Sequence, residues 1–137
     1  KKRWLARSLG EELGRSLITL HLPPNTFVIP VPLHPAKERS RGFNQALLIA
    51  ENLDYPVRAD IARRIKETSP QAWTESRRER LDHIRGAFLV QKPEAIIGKT
   101  ILLVDDVTTS GATLSELARV LKEAGAEKIY AAVLAHG

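Results

Sequence analysis

The chain has 137 residues, enough for one domain with a modest core, and its 43% hydrophobic and 27% charged residues argue against intrinsic disorder. No apolar run approaches a membrane span, and two glutamates interrupt the basic start KKRWLARSLGEELG where a signal peptide needs an apolar stretch. The absence of cysteine excludes disulfides and thiolate metal sites, and a net charge of +5 suits an anionic partner, either nucleic acid or a polyphosphate. The expectation is an intracellular, cytoplasmic protein without a membrane partner.

Leu5, Leu9, Leu13 and Leu17 recur every four residues with Trp4 and Ile18 beside them, which predicts an amphipathic helix over 4–21. That helix could pack against a second copy in a homo-oligomer. Pro23-Pro24-Asn25 ends it. Residues 27–32, FVIPVP, read as a short buried strand whose prolines place it at a strand end or edge. Residues 34–43 read as a basic loop. A helix follows over 45–53, with Ala46, Leu47, Ile49, Ala50 and Leu53 inward, and Asn44 and Gln45 at its entry. Residues 57–65 suggest a short strand and a polar turn. Residues 66–85 are the least regular, being polar and containing Pro70.

Residues 86–90, GAFLV, read as a strand, and Phe43 and Phe88 as core. The run 101–104 is continuously apolar, as in a strand buried on both faces of a parallel sheet. A helix over 113–123 turns Leu114, Leu117, Ala118 and Leu121 inward and closes at Gly125, and residues 128–134 form the last strand. Strand, helix, strand makes a βαβ unit, which requires a right-handed crossover and a parallel sheet. The expected fold is a single α/β domain over 1–137, three-layered and Rossmann-like, with a mostly parallel sheet.

Residues 101–114 read ILLVDDVTTSGATL. In such sheets, ligands bind at the carboxyl ends of strands, where Asp105 and Asp106 fall. Thr108, Thr109, Ser110, Gly111, Ala112 and Thr113 then lead into a helix N-terminus, whose free N–H groups and dipole favour a phosphate. Gly111 lets the backbone approach the anion, and the hydroxyls of Thr109, Ser110 and Thr113 add donors. The carboxylates would repel that phosphate, so they need another task. They can accept from a vicinal diol or hold Mg2+, directly or through water. A ribose 5-phosphate satisfies both halves. The plainer alternative, a strand and a well-capped helix with Asp and Thr as turn formers, accounts for Thr113 or one aspartate but poorly for the whole ordered set. No Walker A loop and no G-x-G-x-x-G is present. His21, His34, His83 and His136 lack metal-ligand spacing.

ILLVDDVTTSGATL resembles the phosphoribosyl diphosphate (PRPP) motif of type I phosphoribosyltransferases. Val31-Pro32-Leu33-His34-Pro35, Arg41-Gly42-Phe43-Asn44-Gln45-Ala46, the Gln71 region and Arg85-Gly86-Ala87-Phe88 match, in order, the pattern of the competence protein ComF family. The resemblance covers nearly the whole chain. The family's four-cysteine zinc-binding segment has no counterpart here, and His83 stands where the family usually has asparagine, so no role is carried onto it.

The resemblance implies that Asp105 and Asp106 hold the ribose hydroxyls and, indirectly, Mg2+, while residues 108–113 cradle the 5-phosphate. The loop around Leu33 and His34 resembles the pyrophosphate-binding loop, where a strained non-proline cis peptide is expected. Arg39 and Arg41 would clamp pyrophosphate through their guanidinium forks, solvated helix-entry charge being the alternative. Residues 66–85 resemble a flexible hood. From it Arg77, Arg78 and Arg80 would reach pyrophosphate on closure, although a solvated face suits any single one of them better. Gln71 and Trp73 would meet an acceptor base, with ordinary packing or a contact with another chain as the alternative for Trp73. The implied reaction displaces pyrophosphate from C1 of PRPP, with Mg2+ and the arginines neutralising the leaving group. The acceptor is unspecified. The leading function is a ComF-type phosphoribosyltransferase helping DNA uptake alongside competence-machinery proteins. A non-catalytic PRPP or nucleotide sensor, or an interaction module, is the second reading. Single-stranded DNA binding is the third, and the scarcity of aromatic residues argues against it.

Overall fold

In the computed structural model, which describes residues 7–8, 11–15, 21–66, 76–108 and 111–136, the longest apolar run becomes the central strand. That strand, β4 (Thr100–Thr108), pairs in parallel with β1 (Thr26–Pro30) on one side and β5 (Lys128–His136) on the other. Beyond β1, Val28 bridges in parallel to Val57: the Val28 N–H donates to the Pro56 carbonyl at 2.7 Å and the Arg58 N–H to the Val28 carbonyl at 2.8 Å. The expected parallel sheet is therefore present.

Ile101, Leu102, Leu103 and Val104 are fully buried because consecutive side chains alternate between two covered faces. Ile101 and Leu103 pack with Leu117 and Leu121 of a helix, α4 (Ala112–Glu123). Leu102 and Val104 pack with Ile49 and Ala50 of another, α2 (Gln45–Ala50). Helix, sheet and helix make the three layers, and each buried aliphatic side chain contributes about 1.5–3 kcal/mol. Leu13, in the helical residues 11–15, joins the α2 side of the core. Much of the helix expected over 4–21 lies outside the described residues.

Three expectations need correction. Residues 34–43 are not a loop but contain a helix, α1 (Pro35–Arg41). His34 caps it, with Nδ1 accepting from the Ala36 N–H at 3.1 Å. Pro35 suits the first helical position, and Gly42 closes the helix in the left-handed region at φ 82°. None of its residues is buried, so it carries no apolar period to read. Residues 66–85 likewise contain a helix, α3 (Arg77–Ile84), started by a capping box: Ser76 Oγ accepts from the Glu79 N–H, and Glu79 Oε1 accepts from the Ser76 N–H. Finally, Phe43 is only half-buried, whereas Phe88 is in the core.

The short strands β2 (Ala62–Arg64) and β3 (Phe88–Val90) do not join the parallel sheet. They pair with each other, antiparallel, with Arg64 opposite Phe88 and Arg63 opposite Leu89.

Candidate functional site

Strands β1 and β4 end side by side, with Pro30 opposite Val104, and the Val31 N–H donates to the Val104 carbonyl at 2.9 Å. The loop after β1 and the carboxylates after Val104 must therefore meet. They do so around a cavity of about 290 Å³ lined by Val31, Leu33, Lys37, Arg41, Asn44, Gln45, Ala46, Arg64, Asp105, Asp106 and Thr113. Two carboxylates, three cations and the first turn of α4 face one space.

Asp105 and Asp106 are both half-buried. Asp105 Oδ1 accepts the Asp106 N–H at 2.9 Å. Burial chiefly, then the neighbouring Asp106 carboxyl, pushes the Asp105 pKa up to about 7, well above the usual carboxylate range, and the Asp106 N–H and Arg64 oppose that shift. A cation or hydroxyl donors arriving in the cavity would relieve the strain of that charge. The donor chemistry fits Mg2+: two adjacent hard oxygen groups, with no cluster of three or more histidine or acidic side chains among the described residues. Mg2+ is typically held this way, by one or two carboxylates together with substrate phosphates and water.

Asn44 fixes the cavity wall. Its Oδ1 caps α2 by accepting the Ala46 N–H at 3.0 Å, and its Nδ2 donates to the Val31 carbonyl at 3.2 Å. Asn44 thus ties the entry of α2 to the end of β1, as a helix-entry residue should. On the opposite side, Gly111 adopts the left-handed region at φ 74° and starts α4, and Thr113 faces the cavity. Thr108 ends β4 and Ala112 is buried in the first turn of α4. Thr109 and Ser110 lie outside the described residues.

Leu33 lines the cavity, but the cis peptide expected at Leu33-His34 is absent: no cis peptide occurs among the described residues. His34 instead takes an extended conformation, φ −60° and ψ 139°, that lets its ring cap α1. Arg39 and Arg41 part company. Lys37 and Arg41, four apart, share the helix face on the cavity. Arg39, two residues from Arg41, points into a neighbouring cleft of about 610 Å³ that Arg63, Glu38 and Gln91 also line. Arg78 and Arg80 sit on α3, and neither lines the cavity. Gln71, Trp73 and the side chain of Arg77 are outside the described residues.

Sequence reasoning missed Lys37 and Arg64. Lys37 had a signal in its i, i+4 spacing to Arg41, which is meaningful only once residues 35–41 are known to be helical. A further missed group stands behind the site. Glu116, one turn beyond Thr113, is 4% exposed. Its carboxylate accepts from Arg119 Nε at 2.8 Å, Arg119 Nη2 at 2.7 Å and the Gly86 N–H at 3.0 Å. Among the described residues no helix is long and apolar enough to cross a membrane.

Residues 39–137 match the family model of the phosphoribosyl transferase domain. The chain is 34% identical over 132 residues to competence protein F of Haemophilus influenzae, covering 93% of this chain and 57% of that protein. It is 38% identical over 104 residues to competence protein ComFC of Bacillus subtilis, covering 75% and 41%. The chain thus spans about half the length of these curated relatives. Among solved structures, a hypoxanthine phosphoribosyltransferase from Staphylococcus aureus superposes with a TM-score of 0.57 at 14% identity, over 96% of this chain and 62% of that one. The allosteric regulatory enzyme of purine biosynthesis superposes at 0.58 and 20% identity, over 94% and 25%. At these identities the two structures speak for the fold.

Proposed function

The chain belongs to the phosphoribosyl transferase domain family, and from that premise we propose that it binds PRPP in the cavity between β1 and α4 and lets an acceptor displace pyrophosphate from C1. One observation carries this reading: the adjacent carboxylates of the central strand open into the same cavity as the first turn of α4 and the cations of α1. Asp105 and Asp106 accept the ribose hydroxyls. The turn through residues 108–113 receives the 5-phosphate on backbone N–H groups and hydroxyls. Lys37 and Arg41, beside Leu33, face the C1 pyrophosphate. Arg39 lines the next cleft, beside Leu33 at its border with this cavity. Mg2+, when bound through Asp105 and Asp106, supplies neutralisation of charge on the leaving group. The chain's own residues orient the sugar and hold both anionic ends, so no protein nucleophile is required.

Gln71 and the hood arginines Arg77, Arg78 and Arg80 belong to the segment that would close over the acceptor. The names of the competence relatives support a link to DNA uptake; the proposed setting is the cytoplasm, with other competence proteins as partners. The test is calorimetric titration of PRPP, with and without Mg2+, into the protein and into an Asp105→Asn/Asp106→Asn variant. Mg2+-dependent binding that the variant loses is the expected result. A folded protein that does not bind PRPP refutes the proposal. Binding without pyrophosphate release across a panel of bases would reassign the site to sensing.

A further inference from the structure

Strand β2 is three residues long, and its alternation separates two adjacent arginines. Arg63 faces the cleft that it shares with Arg39, whereas Arg64 faces the carboxylate cavity. Arg64 is held in place there. It stands opposite Phe88 in the β2–β3 pairing, its guanidinium carbon lies 5.5 Å from the centre of the Phe88 ring, and its Nε donates to the Lys66 carbonyl at 3.4 Å. Phe88 is itself in the core, so the platform beneath the guanidinium is fixed. Arg64 and Asp105 line the same cavity.

Resting on the PRPP reading, the division of charge in the cavity assigns Arg64 a task. The 5-phosphate has the N-terminal turn of α4, and the ribose hydroxyls have the carboxylates. The second anionic group has only the cations. Lys37 and Arg41 approach from α1, and Arg64 stands on the separate antiparallel sheet. We infer that Arg64 is a further ligand-positioning residue of this cavity, holding the anionic group on C1 from the β2 side while Lys37 and Arg41 hold it from α1. A planar fork stacked on an aromatic ring suits two phosphate oxygens better than a lysine would.

The experiment compares two probes, PRPP with Mg2+ and ribose 5-phosphate, by amide NMR titration, which reads weak and tight binding alike. The proteins are wild type, Arg64→Gln and Arg64→Lys, each first checked for an unchanged thermal midpoint. Loss of a charge-assisted contact predicts a PRPP affinity weaker by roughly tenfold to a hundredfold in Arg64→Gln. Ribose 5-phosphate should bind as in wild type, and Arg64→Lys should fall between. Equal weakening of both probes would mean that Arg64 serves the sugar or only balances Asp105, and would overturn the inference. Unchanged PRPP affinity in Arg64→Gln would overturn it too. Failure of wild type to bind PRPP at all would instead remove the proposed function, and this inference with it. If Arg64→Gln is unfolded, Arg64→Lys alone decides: it must lose PRPP affinity and keep that for ribose 5-phosphate.

Discussion

Replacing Glu116 by glutamine tests how the first turns of α4 are anchored. The carboxylate makes three short contacts, two from Arg119 and one from the Gly86 N–H that ends the α3 turn. Glutamine keeps the shape but presents an NH2 group to at least one of these donors, so one charge-assisted hydrogen bond must go. Such a bond to a charged group is worth about 2 kcal/mol. For a domain of this size that corresponds to a fall in Tm of roughly 8 °C. The sign with pH follows from the hydrogen bonds. Arg119 foremost, helped by the Gly86 N–H, holds the pKa of Glu116 in the folded protein below that of an unfolded glutamate, against the opposing effect of burial. The carboxylate therefore stabilises the fold in full above the unfolded value of about 4.3, and that contribution is lost as pH falls through the folded value. Calorimetric melts of both proteins near neutral pH and in acid should show the full gap in the first case and a shrinking gap in the second. A gap that persists undiminished in acid, or that is missing at neutral pH, would refute the assignment of the stabilisation to this ionised contact.

Gly125 adopts φ 115°, and a Cβ there would lie 3.1 Å from Ile97 Cγ1. Gly125→Ala should therefore cost about 1–2 kcal/mol from backbone strain, seen as a lower urea midpoint with an unchanged slope. Asn44→Ala removes both the α2 cap and the tie to Val31. It should cost about 1–2 kcal/mol in the same assay and also weaken PRPP binding, because the wall carrying Gln45 and Ala46 loosens. Unaltered PRPP affinity in a destabilised Asn44→Ala protein would show that the wall holds without the cap.

The elements legible in the sequence were those that bury apolar side chains on a regular period. The 101–104 run and the spacing of Leu117 and Leu121 named β4 and α4, because each side chain reports the covered face that it meets. Asp105, Asp106 and Thr113 were legible for a related reason: they adjoin those elements at ends where a parallel sheet leaves room for a ligand. Helix α1 was not, since it buries nothing and announces itself only through Pro35 and Gly42. Helix α3 did carry a signal, Ser76 with Glu79 three residues on, but it lies in a segment so polar that a cap alone did not suggest a helix.

The hidden site residues share a different cause. Which of Arg63 and Arg64 enters the cavity depends on the register of a three-residue strand against β3, more than twenty residues away. Glu116 looks like solvated helix surface until Gly86, thirty residues earlier in the chain, supplies its N–H. Arg119 is local to Glu116, at i+3, but an ion pair of that spacing is equally at home on an exposed face, so it does not reveal burial. Hydrophobic periodicity states how an element meets the core. It says nothing about a polar side chain that meets another polar group across a gap in sequence. In this protein the cavity is built from such meetings: α1 and β2 face the carboxylates of β4 from elements whose placement the apolar core fixes indirectly. Arg41 was legible in the sequence through its resemblance to a family motif, whereas Lys37 and Arg64 are the cations of the cavity that only the folded chain reveals.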